Sequence, residues 1–262
     1  MTKYTSKALG RRIMIVGNEG MGGREHVTTD TFLRSEEVEA VYVAPGNDGM
    51  FHQKQVDPRL HRLKDYKAST IEDIEKLARE AKALDVVAFI GPENPLSLGI
   101  VDIFTREDIP VVGPSKEAAR LEGSKAYAKD IMHELAIPIP KYRHFADPWE
   151  AGRYIDKLKY AVVVKADGLA AGKGSIVTST HTEAHKAVHR IMVERAFGEA
   201  GNRVVIEQWL DGDEFSFFLI TDGKTILPLG LARDYSLFMI ITKVLIQVVW
   251  ARTHRMGNGR PS

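Results

Sequence analysis

Short apolar runs closed by glycine or proline alternate, in the first half of the chain, with stretches whose apolar residues recur every three or four positions. Arg12-Ile13-Met14-Ile15-Val16 is the first run. It lacks polar alternation, as expected of a parallel strand buried on both faces. A glycine-rich turn and a predicted helix near Glu25–Arg34 follow. Ala40-Val41-Tyr42-Val43 reads as a second strand, closed by Ala44-Pro45-Gly46-Asn47. Ser69-Thr70-Ile71-Glu72 resembles a capping box, with Ile71, Ile74, Leu77, Ala78 and Ala81 at helical spacing behind it. Val86-Val87-Ala88-Phe89-Ile90 predicts another buried strand, a helix over about 96–106 follows, and Pro110-Val111-Val112 predicts the next strand. This alternation predicts an α/β unit with an open parallel sheet, whose ligands bind at the strand-end loops.

The spacing then predicts one long helix from Ser115 to Leu135, broken by Ile137-Pro138-Ile139-Pro140. Beyond this linker the pattern changes. Ala161-Val162-Val163-Val164-Lys165 and Ser175-Ile176-Val177 read as strands around a glycine-rich loop, Gly168 to Gly174. Thr180-His181-Thr182-Glu183 caps a predicted helix through Met192, and Val204-Val205-Ile206-Glu207 reads as a strand. Runs at Glu214–Ile220 and Lys224–Leu227 flank Asp222-Gly223, a hairpin signal.

Composition narrows the class. Of 262 residues, 44% are hydrophobic and 27% charged, ordinary for a globular protein, and the net charge is +1. Nothing global therefore argues for nucleic acid or membrane partners. The chain has no cysteine, which excludes disulfides and thiolate metal sites and fits a reducing cytoplasm. Met1–Arg12 has no apolar centre and is not a secretory signal. The longest apolar stretch, Leu237–Ala251, is interrupted by Thr242, Lys243 and Gln247 and is too short to span a bilayer.

Chemistry concentrates in Val164-Lys165-Ala166-Asp167-Gly168-Leu169-Ala170-Ala171-Gly172-Lys173-Gly174. Glycine lets backbone N–H groups approach a phosphate, and lysine neutralises its charge. It is not a P-loop: the gap between the glycines is too short, no Ser or Thr follows Lys173, and strands flank it. A tight hairpin with surface lysines is the alternative reading.

The segment from Lys165 to Gly174 resembles the signature loop of phosphoribosylamine–glycine ligases, members of the ATP-grasp superfamily. Other segments resemble that family in the same order. They are Gly22-Gly23-Arg24-Glu25-His26, Ala44-Pro45-Gly46-Asn47, Gly91-Pro92-Glu93-Asn94-Pro95-Leu96, Leu121-Glu122-Gly123-Ser124-Lys125, and Ile206-Glu207-Gln208-Trp209-Leu210-Asp211-Gly212-Asp213-Glu214-Phe215-Ser216. The turn at Gly17–Gly23 is a few residues longer than the family's.

The resemblance implies an ATP-dependent ligation of glycine to 5-phosphoribosylamine in purine biosynthesis, in the cytoplasm. It implies an N-terminal substrate-binding domain over 1–114 and a linker helix with the ATP-grasp lid domain over 115–200. An incomplete start of the ATP-grasp catalytic domain follows over 201–235, then a non-family tail over 236–262. Lys125 and Lys165 would contact ATP phosphates as point charges. Gly168, Gly172, Lys173 and Gly174 belong to a loop that would close over them. Glu207, Gln208, Trp209 and Leu210 would present backbone groups to adenine, and Glu214 would accept from ribose hydroxyls. Gly23, Arg24 and Glu25, with Gly91, Pro92, Glu93 and Asn94, would hold phosphoribosylamine. Arg24 also lies at a predicted helix N-terminus, which favours anions. Mg or Mn is expected for the family.

Two features stand outside that scheme. His181, His185 and His189 share one helix face, and the spacing predicts the solvated edge of that helix rather than a metal site. After Tyr235 the family's Gly-Pro-Asn-Thr-Gly-Gly-Met-Gly-Ala-His-Ser-Pro is missing. One codon spelling of that motif, read in a neighbouring frame, translates as Lys-Val-Leu-Ile-Gln-Val-Val-Trp-Ala-Arg-Thr-His, the sequence of Lys243–His254. The expectation is a frameshift near Tyr235, and coding DNA in which no frame spells the motif would refute it. No acidic residue follows Tyr235, so the family's Glu and Asn metal ligands are expected to be absent and activity impaired.

Overall fold

The computed structural model describes residues 11–17, 22–52, 56–170, 172–212 and 215–233. The expectations for Glu214 and for the tail fall outside these. Two compact units divide most of the chain, one reaching Ala119 and one built on Arg120–Leu219.

The first unit runs β1 (Arg12–Val16), α1 (Gly23–Leu33), β2 (Ala40–Ala44), β3 (Leu60–Arg62), α2 (Ile71–Leu84), β4 (Val87–Ile90), α3 (Glu93–Leu98), α4 (Ile100–Arg106) and β5 (Val111–Val112), with α5 (Lys116–Gly123) after it. The sheet order is β3-β2-β1-β4-β5 and every pairing is parallel. One face packs Met14, Val16, Ala88 and Ile90 against Ile74 and Leu77 of α2 and Ile100 and Phe104 of α4. The other packs Ile13, Ile15, Val41 and Val43 with Phe32 and Leu33 of α1. Both faces are covered, which is why these strands are apolar throughout.

The second unit holds α6 (Lys125–Glu134), β6 (Tyr142–Phe145), α7 (Pro148–Ile155), β7 (Val162–Ala166), β8 (Ser175–Thr178), α8 (His181–Val188) and β9 (Val204–Gln208). Its sheet is antiparallel in the order β6-β9-β7-β8. Val162, Val164, Ala166, Val204 and Ile206 pack one face against Ala151 and Ile155 of α7 and Ala184 and Val188 of α8. β10 (Phe215–Thr221) and β11 (Ile226–Arg233) form a two-stranded sheet around Asp222-Gly223, as the turn signal predicts.

Several expectations are corrected. The long helix over Ser115–Leu135 is two helices, because Ser124 is extended (φ −138°, ψ 113°) and caps α6 by accepting from Tyr127 N–H. The helix over 96–106 is also two, divided by Gly99 in the left-handed region at φ 94°. The capping box is one residue later than expected: Thr70 Oγ1 accepts from Asp73 N–H, and the Asp73 carboxylate accepts from Thr70 N–H, both at 3.1 Å. The segment to Met192 leaves α-helical geometry after Val188 and closes as a π-helical turn, His189–Val193.

Candidate functional site

The strand ends of the first unit gather one set of residues. β1 lies between β2 and β4, so the chain leaves the sheet in opposite directions there and opens a crevice at the carboxyl ends. Glu25, in the first turn of α1, is 6% exposed and fills this place. A Cβ on Gly17 would lie 3.0 Å from the Glu25 side chain, and one on Gly91 would lie 3.1 Å from its Oε1. A Cβ on Gly22 would meet Asn47 Nδ2 at 2.7 Å. A side chain at any of these glycines would therefore displace the Glu25 or Asn47 side chain. Gly17, Gly22, Glu25, Gly46, Asn47 and Met50 are among the residues lining a small pocket. Asn47 joins two of the loops: its Nδ2 donates to Gly22 O at 3.4 Å and its Oδ1 accepts from Met50 N–H at 3.2 Å. Arg24 donates from both terminal nitrogens to Glu93 Oε1 at 3.2 Å. That pair is exposed, contributes little to stability, and can be exchanged for another anion.

A charged cluster forms in the second unit, on the sheet face turned away from its apolar core. Val163 of β7 lies opposite Glu207 of β9, so Lys165, two residues on, shares the face of Glu207. Lys165 Nζ bonds Glu207 Oε1, and Lys129 Nζ of α6 lies 2.7 Å from Oε2. The three side chains are only 9%, 13% and 6% exposed, so the carboxylate is neutralised by protein rather than by water. Burial would raise the Glu207 carboxyl, but Lys165 and Lys129 outweigh it and hold the group below its usual range. One turn before Lys129, Lys125 Nζ donates to Gly168 O at 2.8 Å. Burial pulls the Lys125 ammonium below its ordinary value, and Glu122 partly offsets this.

Asp167 ties the glycine loop to the start of α6. Its Oδ1 accepts from Ser124 Oγ at 3.0 Å and from Ala126 N–H at 2.8 Å, and Arg203 lies 3.7 Å from Oδ2. A carboxylate at a helix N-terminus is favourable for both partners. Gly168 and Gly174 are tightly placed: a Cβ would meet Ala200 at 2.7 Å in the first case and Ala170 at 2.6 Å in the second. Gly172 sits at φ +74° with open space around it, and Lys173 beside it is exposed.

Both predicted groups are thus brought together, each in its own unit: Gly23, Arg24, Glu25, Gly91, Pro92, Glu93 and Asn94 in one, and Lys125, Lys165, Gly168, Gly172, Lys173, Gly174 and Glu207 in the other. Gln208 ends β9 and Trp209 follows it, but their N–H groups donate to Lys141 O at 2.8 Å and Ala161 O at 2.9 Å. A ligand would compete with the sheet for these donors. Trp209 Nε1 is buried without a hydrogen-bond partner among the described residues. Leu210 follows, partly exposed. Asn47 and Asp167 stand inside the quoted motifs with no role assigned to them there, and Lys129 lies outside them. Lys129 is four residues beyond Lys125, a spacing that could have pointed to it.

The donor set suits a polyphosphate: Lys125, Lys129, Lys165 and Arg203 stand against the carboxylates of Glu122, Asp167 and Glu207, leaving a cationic balance beside a glycine-rich loop. Among the described residues, no three His, Cys, Asp or Glu side chains come together as metal ligands. His181, His185 and His189 each have a separate partner, Leu158 O at 3.0 Å, Asp156 Oδ1 at 2.8 Å and Glu194 Oε1 at 3.0 Å. Among the described residues no helix is long and apolar enough to cross a membrane.

The sheet, loop and lysine cluster of the second unit define its class. Residues 123–239 match the model described as the ATP-grasp (A) domain of phosphoribosylglycinamide synthetase. Residues 11–122 match the N domain of the same synthetase. The chain belongs to the phosphoribosylglycinamide synthetase family. It is 49% identical over 217 residues to the phosphoribosylamine--glycine ligase of Archaeoglobus fulgidus, covering 82% of this chain and 46% of that protein. It is 42% identical over 224 residues to the Vibrio vulnificus enzyme of the same name, covering 85% and 50%. A crystal structure of phosphoribosylamine--glycine ligase from Thermotoga maritima aligns with a TM-score of 0.65 at 26% identity, covering 86% of this chain and 50% of that one. The chain spans about half the length of these relatives.

Proposed function

We propose that this chain carries the amine-substrate and ATP sites of a ligase that joins glycine to 5-phosphoribosylamine, giving glycinamide ribonucleotide, ADP and phosphate. The observation that carries the reading is the convergence of Lys125, Lys129 and Lys165 on one buried carboxylate and the glycine loop. Lys125 and Lys165 would bind the phosphates as point charges, and Gly168–Gly174 would cover them and exclude water. Phosphate transfer to the glycine carboxylate would make it an acyl donor, which the amine of phosphoribosylamine then attacks. In such a transfer the protein works through positioning and charge neutralisation. In the first unit, the Gly23–Glu25 turn and Gly91–Asn94 would hold the ribosyl phosphate, with Arg24 leaving Glu93 for the anion. A divalent ion bound with the nucleotide would add charge neutralisation.

Calorimetric titration with ATP, followed by an ADP-release assay with and without glycine and phosphoribosylamine, tests the proposal. Release that needs both co-substrates supports the ligase. ATP binding without such release leaves a nucleotide-binding module. No binding of ATP refutes both.

A further inference from the structure

Glu207 is held by two lysines, and only one of them belongs to the strand that enters the phosphate loop. Lys165 lies two residues before Asp167 and three before Gly168, whose carbonyl is taken by Lys125. Lys129 is one helical turn further along α6, about 6 Å from Lys125 along the axis, and reaches the other carboxylate oxygen. A single counter-ion would suffice to keep a buried carboxylate charged. With only Lys165 present, drawing it to a phosphate would strand the Glu207 charge, and an unpaired buried charge is strongly unfavourable.

We infer that Lys129 is the permanent counter-charge of Glu207, a positioning residue that frees Lys165 to move onto the ATP phosphates. This rests on the nucleotide reading above and deepens it. Lys129 itself stays on Glu207 and touches no phosphate. Without Lys129, binding ATP would oblige Glu207 to take up a proton as Lys165 leaves, because a buried carboxyl with no cation titrates far above its ordinary range.

Lys129 of α6 and Lys165 of β7 pair with Glu207, and Lys125 of α6 is near enough to feel its charge. Tyr142 of β6 is its register partner, and Asp130 of α6 bonds Tyr142 and His144 beside it. His144 pairs with Asp130 Oδ2 at 3.2 Å, a contact that Lys129→Met leaves in place.

The test is calorimetric titration of the whole chain with ATP, in buffers of different ionisation enthalpy, from pH 6 to pH 8. The variants are Lys129→Met, Lys129→Arg, Lys165→Met and the double variant Lys129→Met with Glu207→Gln. Relative to the unmodified chain, Lys129→Met is expected to bind about tenfold or more weakly at pH 8 than at pH 6, with net proton uptake. Lys129→Arg restores the original profile. The double variant loses the pH dependence, because no carboxylate remains to be stranded, and it also serves if Lys129→Met alone folds poorly. Lys165→Met weakens binding at every pH. The inference is overturned if Lys129→Met binds as the unmodified chain does, or if it loses ATP equally at all pH values, which would make Lys129 a direct phosphate ligand. If the unmodified chain binds no ATP, the nucleotide reading itself falls and the exchange falls with it.

Discussion

At the residue scale, the candidate site shows how one contact sets the character of a group. Tyr142 donates its hydroxyl to Asp130 Oδ1 at 2.9 Å. Burial first, and this bond second, push the phenol up to about 12. The near-ultraviolet titration difference between the unmodified chain and Tyr142→Phe should therefore show one phenol ionising near that pH. A step near the ordinary value of 10 would refute the arrangement. The loop lysines and glycines were legible as residues because phosphate chemistry limits the usable side chains. Lys129 shares a helix face with Lys125 by spacing, but nothing in the local sequence says which residue of another strand an α6 lysine will meet.

At the element scale, the breaks that sequence periodicity missed have local causes. Ser124 divides α5 from α6 through its cap and its bond to Asp167. Ser124→Ala should cost about 1 kcal/mol in urea unfolding, and it should also weaken ATP binding by loosening the start of α6. An unchanged midpoint would show the cap to be idle. Gly201 is buried, and a Cβ there would run into the carbonyl oxygen of Ile191 in the π-helical turn. Backbone cannot yield as a side-chain tip can, so Gly201→Ala should destabilise the chain by about 3 kcal/mol. A loss below about 1 kcal/mol would show that the turn gives way. β6 and α7 went unpredicted for different reasons. Tyr142–Phe145 is an edge strand with one buried residue, which leaves no periodic signal. Asp147-Pro148 with Glu150 is a helix-start signature, but the helix it opens is short.

At the scale of the whole molecule, ligand and pH should act through the same cluster. If the native chain alone binds ATP, ATP at about 100 times its Kd adds about 2.7 kcal/mol of stability. The thermal midpoint should rise accordingly, and Lys165→Met should remove most of the rise. No shift in the unmodified chain would count against the ATP site. The Glu207 carboxyl is depressed below its ordinary 4.5 in the folded chain. Its ion pairs therefore stabilise fully above that pH, and this stability is lost as pH falls through the lower folded value. Glu207→Gln should flatten the acid side of the stability profile, and an equally steep acid side would place the dependence elsewhere.

The sequence by itself determined the alternation of buried strands and helices in the first unit, the glycine loop between β7 and β8, and the hairpin around Asp222-Gly223. Each of these is encoded by residues near one another in the chain, through period, turn chemistry and backbone permissiveness. Only the tertiary structure decided that β9 lies between β6 and β7, that Glu207 therefore meets both Lys165 and Lys129, and that Glu25 fills the space between Gly17 and Gly91. Those outcomes join residues dozens of positions apart. They depend on which strand faces pair and which helix covers them, and no local pattern records that choice.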